Sequence, residues 1–198
     1  MNTLDPYSDE ELVAQLAVGN HDAFQTLLSR HERLVFSVAY RHLGQREDAE
    51  DVVQDTFMRV LKAAARYQPD APFRAYLLTI VTRLCLNRTG RARTRSEELR
   101  DPMTDVFERA HARGPSPEEA LLRDERARAV RRAILALPDD QRMALILFRF
   151  EGLSYEAIAA LLGRRVSAVA SLLWRARTRL RSELMSYVTL RDAEEWKP

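Results

Sequence analysis

The stretch GRRVSAVASLLWRARTRLRSEL, at residues 163–184, decides how the C-terminal part of the chain folds. It holds six arginines between Arg164 and Arg181 and no acidic residue in that interval. At about 100° per residue, its apolar residues share one side of a helix, and Trp174 falls on the other side. The apolar residues are Val169, Leu172, Leu173, Ala176 and Leu180. The stretch therefore predicts an amphipathic helix with a basic outer face.

The residues before this helix have the spacing of a helix-turn-helix. Ala159 is small where two helices cross, Gly163 suits a left-handed turn, and Val169 would lock the second helix. Ser154 and Ser167 are predicted to cap the two helices, with Ile158, Leu162, Val166 and Leu172 as the core between them. In such a motif, the outer face of the second helix contacts base edges and phosphates. The candidate DNA-binding residues here are Arg164, Arg165, Ser167, Ser171, Trp174, Arg175, Thr178 and Arg179.

The basic end of this helix also has a simpler explanation. Arg177, Arg179 and Arg181 lie in its final turns, where positive charge interacts favourably with the helix dipole whether or not DNA binds. The helix dipole does not explain why an exposed tryptophan, Trp174, lies close to these arginines, in a helix that follows a correctly spaced turn. The combination favours DNA binding.

The rest of the chain also follows helical spacing, and no stretch alternates like a half-buried strand. A capping box of Ser8 and Glu11 predicts a first helix, and three apolar-striped helices follow at about 22–43, 46–67 and 73–88. The periodicity fails from Gly90 to Pro115 and resumes with a helix that opens at Ser116 and Pro117. We predict an all-α protein of two small helical domains, 1–89 and 116–185, with a flexible linker at 90–115 and a tail at 186–198.

The amino-acid composition limits which classes of function this protein can have. The chain has 198 residues, and all but Lys62 and Lys197 of its 31 basic residues are arginine, which suits phosphates and base edges. One cysteine, Cys85, excludes an internal disulfide, and four scattered histidines form no ligand cluster, so we expect no metal or cofactor. No apolar run approaches a membrane span, and the acidic N-terminus is unlike a secretory signal. These features predict a cytoplasmic protein with no membrane insertion.

Four stretches together resemble the extracytoplasmic-function group of bacterial RNA polymerase sigma factors. They are DAEDVVQDTFMRVL (48–61), FRAYLLTIVTRLCLNRTGRARTR (73–95), LPDDQRMALILFRFEGLSYEAIAALLG (137–163) and the final helix, in the family's order. The resemblance implies a first lobe that docks on core polymerase and captures the melted minus-ten element, and a second lobe that reads minus-thirty-five. It also implies an anti-sigma protein as inhibitor. Two features depart from the family pattern. Arg83 stands where many members have asparagine, and the recognition helix opens without the two basic residues that are usual there.

A row of acids on the third helix agrees with the docking role. Asp48, Asp51 and Asp55, with Gln54 beside them, form a spaced ridge that suits a basic helical partner. The alternative is a solvated face whose acids lie favourably near a helix N-terminus. The family resemblance favours the docking surface for core polymerase.

The segment YQPDAPF and the helix after it are the candidate minus-ten site. A base leaves its stack only where a pocket and a stacking surface compensate the loss. Tyr67, Gln68, Asp70 and Ala71 are the candidate pocket loop, and the candidate backbone-binding side consists of Arg74, Arg83, Asn87, Arg88, Arg91 and Arg93. Phe73, Tyr76 and Leu77 complete the apolar stripe, and we predict that they and Cys85 belong to the core.

Two other functions compete with a promoter-specificity subunit that has no catalysis of its own. A stand-alone regulator would bind duplex DNA as a dimer through the C-terminal lobe, which leaves the acidic ridge and the first lobe unexplained. A DNA-processing enzyme needs a cluster of carboxylates, histidine or a nucleophile, and Asp48, Asp51 and Asp55 have no histidine near them in sequence.

Overall fold

A computed structural model of the chain describes residues 6–68, 71–95 and 117–185, with side chains described at 6–68, 71–90 and 125–185. Every regular element in these ranges is a helix, which confirms the predicted all-α class. The helices are α1 (Asp9–Ala17), α2 (His21–Leu43), α3 (Arg46–Ala63), α4 (Phe73–Arg95), α5 (Pro117–Leu135), α6 (Asp139–Arg149), α7 (Tyr155–Leu162) and α8 (Val166–Leu184), with a 3-10 helix (Ala64–Arg66) after α3. Residues 90–95 of the predicted linker belong to α4, whereas its remainder at 96–115, residue 116 and the tail at 186–198 lie outside the described residues.

Local sequence signals set most of the helix ends. Glu11 N donates to Ser8 Oγ and Ser8 N donates to Glu11 Oε2, which is the predicted capping box. Gly44 ends α2 in the left-handed conformation, with φ at 82°. Helix α4, in contrast, continues to Arg95, past its predicted end near residue 88. A glycine inside a helix, here Gly90, costs only about 1 kcal/mol, so it did not end the helix.

The first lobe is a bundle built around α2, which contacts α1, α3 and α4. The apolar stripes of these helices meet in its core, and the ring of Phe24 meets that of Phe57 edge-on at 6.3 Å. Phe73, Leu77 and Cys85 are buried as predicted. Leu61, near the end of α3, is 36% exposed and lies at the edge of this core.

The two lobes pack directly against each other, which the sequence did not predict. Helix α2 contacts α5 and α6, and α4 contacts α6 and α7. Buried residues of both lobes belong to one hydrophobic cluster, for example Val81 of α4 and Ile146 of α6. At this junction the Thr82 hydroxyl lies 3.8 Å from Met143 Sδ. Burial of apolar surface therefore stabilises a closed arrangement, in which the two lobes are in direct contact.

Arg142 of α6 is buried at the centre of the junction, with 5% of its surface exposed. Its guanidinium donates to the carbonyl of His42 at 2.6 Å, in the first lobe, and to the carbonyl of Leu137 at 2.7 Å. A further bond goes to the carbonyl of Leu135, the last residue of α5, where a positive charge is favourable. One side chain thus connects the ends of α2 and α5.

A second set of contacts between the lobes, made by Arg131 and Leu135 of α5, explains why Gly44 follows α2. The Arg131 guanidinium lies 4.3 Å from the centre of the Tyr40 ring and donates to the Tyr40 hydroxyl and, at 3.1 Å, to the carbonyl of Gly44. A Cβ at Gly44 would lie 2.9 Å from the side chain of Leu135. Gly44 therefore serves the turn and the close approach of α5 at once.

His42 makes this junction sensitive to acid. Its ring is fully buried, and neither ring nitrogen has a hydrogen-bond partner among the described residues. Burial, with the nearby Arg142 charge, lowers the pKa of His42 to about 4 from its ordinary 6.5, against the opposing attraction of Asp139. The unfolded chain therefore binds a proton that the folded chain does not, once the pH falls below 6.5.

We expect the free energy of unfolding to fall by about 3 kcal/mol between pH 6.5 and pH 4, and to show no His42 contribution above pH 6.5. Urea unfolding across this range measures the effect. His42→Leu, which fills the same space without an ionisable group, should remove most of the slope. An equal slope in that variant and in a control, His21→Leu at an exposed position, would contradict the assignment to His42.

Among the described residues, no single helix is both long and apolar enough to cross a bilayer. The pair α7 and α8, bent by 102°, reaches the required length and composition only when the two helices are taken together.

Candidate nucleic-acid interface

The turn between α7 and α8 has the geometry that the sequence predicted for a helix-turn-helix. Ser154 caps α7 by accepting a hydrogen bond from Ala157 N at 3.2 Å. Gly163 ends α7 in the left-handed conformation with φ at 61°, which a residue without Cβ adopts readily. Ala159 and Val169 are both buried where the helices cross. The motif therefore forms a rigid support for α8.

The outer face of α8 is open to solvent along its length. Trp174 is 67% exposed, and the other predicted contact residues of this helix are exposed as well: Ser167, Ser171, Arg175, Thr178 and Arg179. The hydroxyl of Ser171 donates to the carbonyl of Ser167 at 2.9 Å, and that of Thr178 donates to the carbonyl of Trp174 at 3.0 Å. Since the hydroxyl protons are used inside the helix, the two oxygens remain as outward acceptors. This face offers donors, acceptors and an aromatic surface together.

Two expectations about the start of α8 were wrong. Ser167 lies inside the first turn and does not cap the helix, because the N-cap position is occupied by Arg165, whose side chain makes no capping bond. Val166, expected in the core, is 41% exposed. The turn after Gly163 is shorter than the serine pattern suggested, so the helix begins one residue before Ser167. Arg164 is the other residue of this turn, and its guanidinium pairs with Asp140 of α6.

The predicted base-pocket loop lies in a cleft between the two lobes. Tyr67, Gln68 and Ala71 line one side of this cleft, which has a volume of about 840 Å³. The opposite wall belongs to the second lobe and includes Ala157 and Leu161 of α7. Asp70, the remaining predicted loop residue, lies outside the described residues. The closed arrangement therefore places the helix-turn-helix opposite the candidate pocket.

Aromatic rings form the described wall of this pocket. The rings of Tyr67 and Tyr76 lie 5.1 Å apart, and Tyr67 meets the buried Phe73 edge-on at 6.1 Å. The Tyr67 hydroxyl donates to the carbonyl of Ala71 at 3.4 Å, across the loop. Tyr76, predicted as core, is only half-buried, so part of its ring faces the cleft. A stacking surface for a planar base is present here.

The basic residues of α4 do not form one continuous side. Arg83 and Asn87 are exposed and lie one turn apart. Arg74 and Arg88 turn instead toward carboxylates, Arg74 toward Glu151 in the turn after α6 and Arg88 toward α3. The side chains of Arg91 and Arg93 lie outside the described residues. The structure thus brings together only part of the predicted phosphate-binding set.

Arg88 joins the two predicted surfaces of the first lobe. Its guanidinium lies 3.4 Å from Asp48 Oδ1, 3.2 Å from Asp51 Oδ2 and 3.5 Å from Asp55 Oδ2. The three acids therefore form the ridge that their spacing predicted, but an arginine assigned to DNA partly neutralises it. Gln54 is exposed beside the ridge. Because each acid is about half exposed or more, these pairs are screened by water and contribute little stability.

Arg74 pairs with the second lobe. Its guanidinium donates to Glu151 Oε2 at 2.8 Å and to the Glu151 carbonyl at 3.3 Å. The Glu151 side chain is only 6% exposed, and this burial raises the pKa of its carboxyl, against the attraction of Arg74 and Arg41. Arg41 also lies 4.4 Å from the centre of the Phe150 ring. In the closed form Arg74, a predicted phosphate contact, is therefore paired with a carboxylate.

Two variants should separate the roles of this pair. Arg74→Ala leaves a buried carboxylate without its main donor, and we expect it to lower the free energy of unfolding by about 1–3 kcal/mol. Glu151→Gln keeps an acceptor and removes the charge, so its effect should stay under about 1 kcal/mol. Urea unfolding measures both, with exposed Arg83→Ala as the control. A larger loss for Glu151→Gln than for Arg74→Ala would refute this account.

Sequence reasoning missed the acidic partners of these arginines. Glu151 lies 77 residues from Arg74, and Asp140 lies 24 residues from Arg164. Both acids lie in the stretch 137–163 that carries the family resemblance, but its spacing gives neither of them an arginine partner. No signal in one sequence identifies such pairs, since they depend on how the helices pack.

Comparison with known proteins supports the two-lobe interpretation. Residues 27–95 match the sigma-70 region 2 family and residues 127–180 match sigma-70 region 4. The RNA polymerase sigma-H factor of Pseudomonas aeruginosa is 33% identical over 85% of this chain and 90% of its own length. The ECF RNA polymerase sigma factor SigE of Mycolicibacterium smegmatis is 37% identical over 83% of this chain, which spans 63% of that longer protein.

Solved structures agree with these relatives. CnrH, in a complex with the cytosolic domain of CnrY, superimposes with a TM-score of 0.62 at 30% identity, over 91% of this chain and 99% of that one. The sigma factor RpoE of Bartonella quintana, in a complex with the anti-sigma factor NepR, gives a TM-score of 0.62 at 25% identity, over 82% of this chain and 96% of that one.

The matches to sigma-70 regions 2 and 4, on a helical bundle followed by a helix-turn-helix lobe, define a transcription initiation factor of the sigma-70 type. The chain belongs to the ECF RNA polymerase sigma factors.

Proposed function

We propose that this chain directs promoter recognition as a sigma factor, binding core polymerase through its first lobe and promoter DNA through both lobes. It performs no catalysis of its own and works in the cytoplasm. The observation that carries the DNA-binding part is the open outer face of α8, where Trp174 and Arg175 project from a correctly formed helix-turn-helix. The exposed ridge of Asp48, Asp51 and Asp55 supports polymerase docking.

The minus-ten and minus-thirty-five assignments follow the two lobes. The aromatic cleft at Tyr67 and Tyr76 suits an unpaired base of the minus-ten element, with Arg83 and Asn87 near the strand's backbone. The outer face of α8 suits the minus-thirty-five duplex, and its exposed Arg175 is the candidate for a base-edge contact.

Both lobes bind one promoter only after they separate. The two promoter elements lie about 25 base pairs apart, roughly 85 Å along B-form DNA. The longest helices here have 23 residues, about 35 Å, and the lobes are packed side by side. We infer that docking on polymerase replaces the contacts between the lobes, including the Arg74–Glu151 pair.

An anti-sigma protein is the second expected partner. CnrH was solved in a complex with the cytosolic domain of CnrY, and the Bartonella quintana RpoE in a complex with the anti-sigma factor NepR. We propose that this chain too is held by such a protein, which would stabilise the closed arrangement of the lobes.

In vitro transcription tests the proposal. Core polymerase is incubated with fragments of the host genome, with and without this protein, and the transcripts are sequenced. We expect specific initiation only when the protein is present, and equal initiation without it would remove the proposal. Palindromic duplex binding by the free chain, with no effect on core polymerase, would favour a stand-alone regulator.

Two arginines of α8 provide a matched pair of variants for the same assay. Arg175→Ala removes a candidate base contact and should reduce initiation at the selected promoters by roughly tenfold or more. Arg181→Ala removes an exposed arginine at the end of the same helix, and we expect a reduction of less than about threefold. Equal losses would indicate that α8 contributes only general positive charge.

A further inference from the structure

Helix α1 lies before residue 27, where the match to sigma-70 region 2 begins. It nevertheless packs against the 3-10 helix at one edge of the candidate base pocket and bonds to the start of α4 at the other. Its first turn carries three acids, Asp9, Glu10 and Glu11. Glu11 closes the capping box of α1 itself. The other two reach across to different helices, which a merely solvated acidic turn would not do.

Asp9 fastens α1 to α2. Its Oδ1 accepts from the Arg30 guanidinium at 2.9 Å, and its Oδ2 lies 2.6 Å from His31 Nε2. Arg30 also donates to the carbonyl of Tyr7 at 2.9 Å. The His31 ring then meets the ring of Phe73 edge-on at 5.3 Å. The start of α1 is thereby held beside the start of α4.

Glu10 makes a direct bond to α4. Its Oε1 accepts from the backbone N–H of Phe73 at 3.0 Å, across 63 residues of sequence. Phe73 is the first residue of α4, and the first amides of a helix have no partner within it. A carboxylate at this place also meets the positive end of the helix dipole. Glu10 therefore caps α4 from another helix.

The same helix supports the other edge of the pocket. Helix α1 packs against the 3-10 helix Ala64–Arg66, which directly precedes Tyr67. Phe73, held by Glu10, directly follows the described loop residues Ala71 and Pro72. The spacing between the two pocket edges thus depends on α1. A stacking site works only when its surfaces are held at the correct separation.

We infer that Glu10 is a positioning residue for the capture of an unpaired minus-ten base, acting through the backbone of Phe73 and the aromatic wall of Tyr67 and Tyr76. This inference rests on the proposed function. Glu10 itself contacts no DNA. Its loss should therefore impair discrimination between single strands more than it impairs folding or contacts with the duplex.

The test uses the holoenzyme and two fluorescent single strands: the non-template minus-ten strand of a promoter selected in the transcription experiment, and a scrambled strand of equal composition. Glu10→Ala should weaken binding of the promoter strand about fivefold, which is the stability of one helix cap expressed as a ratio of equilibrium constants, and leave the scrambled strand unchanged. Glu10→Gln keeps an acceptor oxygen and should retain at least half of the wild-type discrimination. Binding to core polymerase and to the minus-thirty-five duplex should not change.

Glu32→Ala, at an exposed position of α2, is the control and should behave as wild type. Equal weakening of both strands by Glu10→Ala, or an unchanged promoter strand, would overturn the positioning role. If the wild-type holoenzyme itself does not distinguish the strands, the proposed function fails and this inference fails with it. If it does distinguish them, a wild-type-like Glu10→Ala refutes the inference alone.

Discussion

Replacing Arg142 with alanine is expected to lower the free energy of unfolding by about 3–5 kcal/mol, the largest stability effect expected of a single side chain at the junction of the lobes. The guanidinium is the common donor to the carbonyls of His42, Leu135 and Leu137. Its removal leaves buried carbonyls unpaired and also opens a cavity at the junction. The closed arrangement of the lobes should weaken in the same variant.

Urea unfolding measures the stability loss, and the distance between labels on α3 and α7 reports separation of the lobes. Arg149→Ala, an exposed arginine of the same helix α6, is the matched control and should change stability by less than about 0.5 kcal/mol. A loss of under about 1 kcal/mol for Arg142→Ala would mean that water replaces the guanidinium, contrary to the buried geometry.

Asp51→Arg should reduce affinity for core polymerase by about a hundredfold or more, because like charges brought together in an interface cost several kcal/mol. Asp51 is the most exposed acid of the ridge, with 62% of its side chain accessible. In the free chain its pairing with Arg88 is weak, at 3.2 Å and largely solvated, so a basic partner competes for it easily. Transcription from selected promoters should fall in parallel.

Substitution of the neighbouring Arg88 should change polymerase affinity in the opposite direction. Arg88→Ala removes the charge that partly neutralises the ridge, and polymerase affinity should rise a few-fold, while promoter binding falls. Glu47→Arg reverses an exposed charge in the first turn of α3 outside the ridge and should change polymerase affinity by less than about threefold. Titration of fluorescent core polymerase measures all three. Equal effects of Asp51→Arg and Glu47→Arg would show that only net charge matters.

Much of the local structure followed from residues close together in sequence. The capping box of Ser8 and Glu11, the left-handed turns at Gly44 and Gly163, and the crossing at Ala159 involve contacts within one or two turns of helix. Apolar spacing identified the stripes of α4 and α8 for the same reason. The errors in helix ends were local too. The start of α8 was misplaced because the turn before it is shorter than expected, and the end of α4 was misplaced because the helix tolerates a glycine.

The sequence predicted which side chains belong to the candidate site, but it did not predict which side chains they pair with. The sequence alone determined two helical lobes, a helix-turn-helix and an acidic ridge, because periodicity, caps and charge spacing are written into neighbouring residues. Only the tertiary structure decided that the lobes share a core, that Glu151 holds Arg74, that Arg88 faces the ridge and that Glu10 caps α4. Those contacts join residues dozens of positions apart, so they exist only once the hydrophobic faces have packed and brought the helices together.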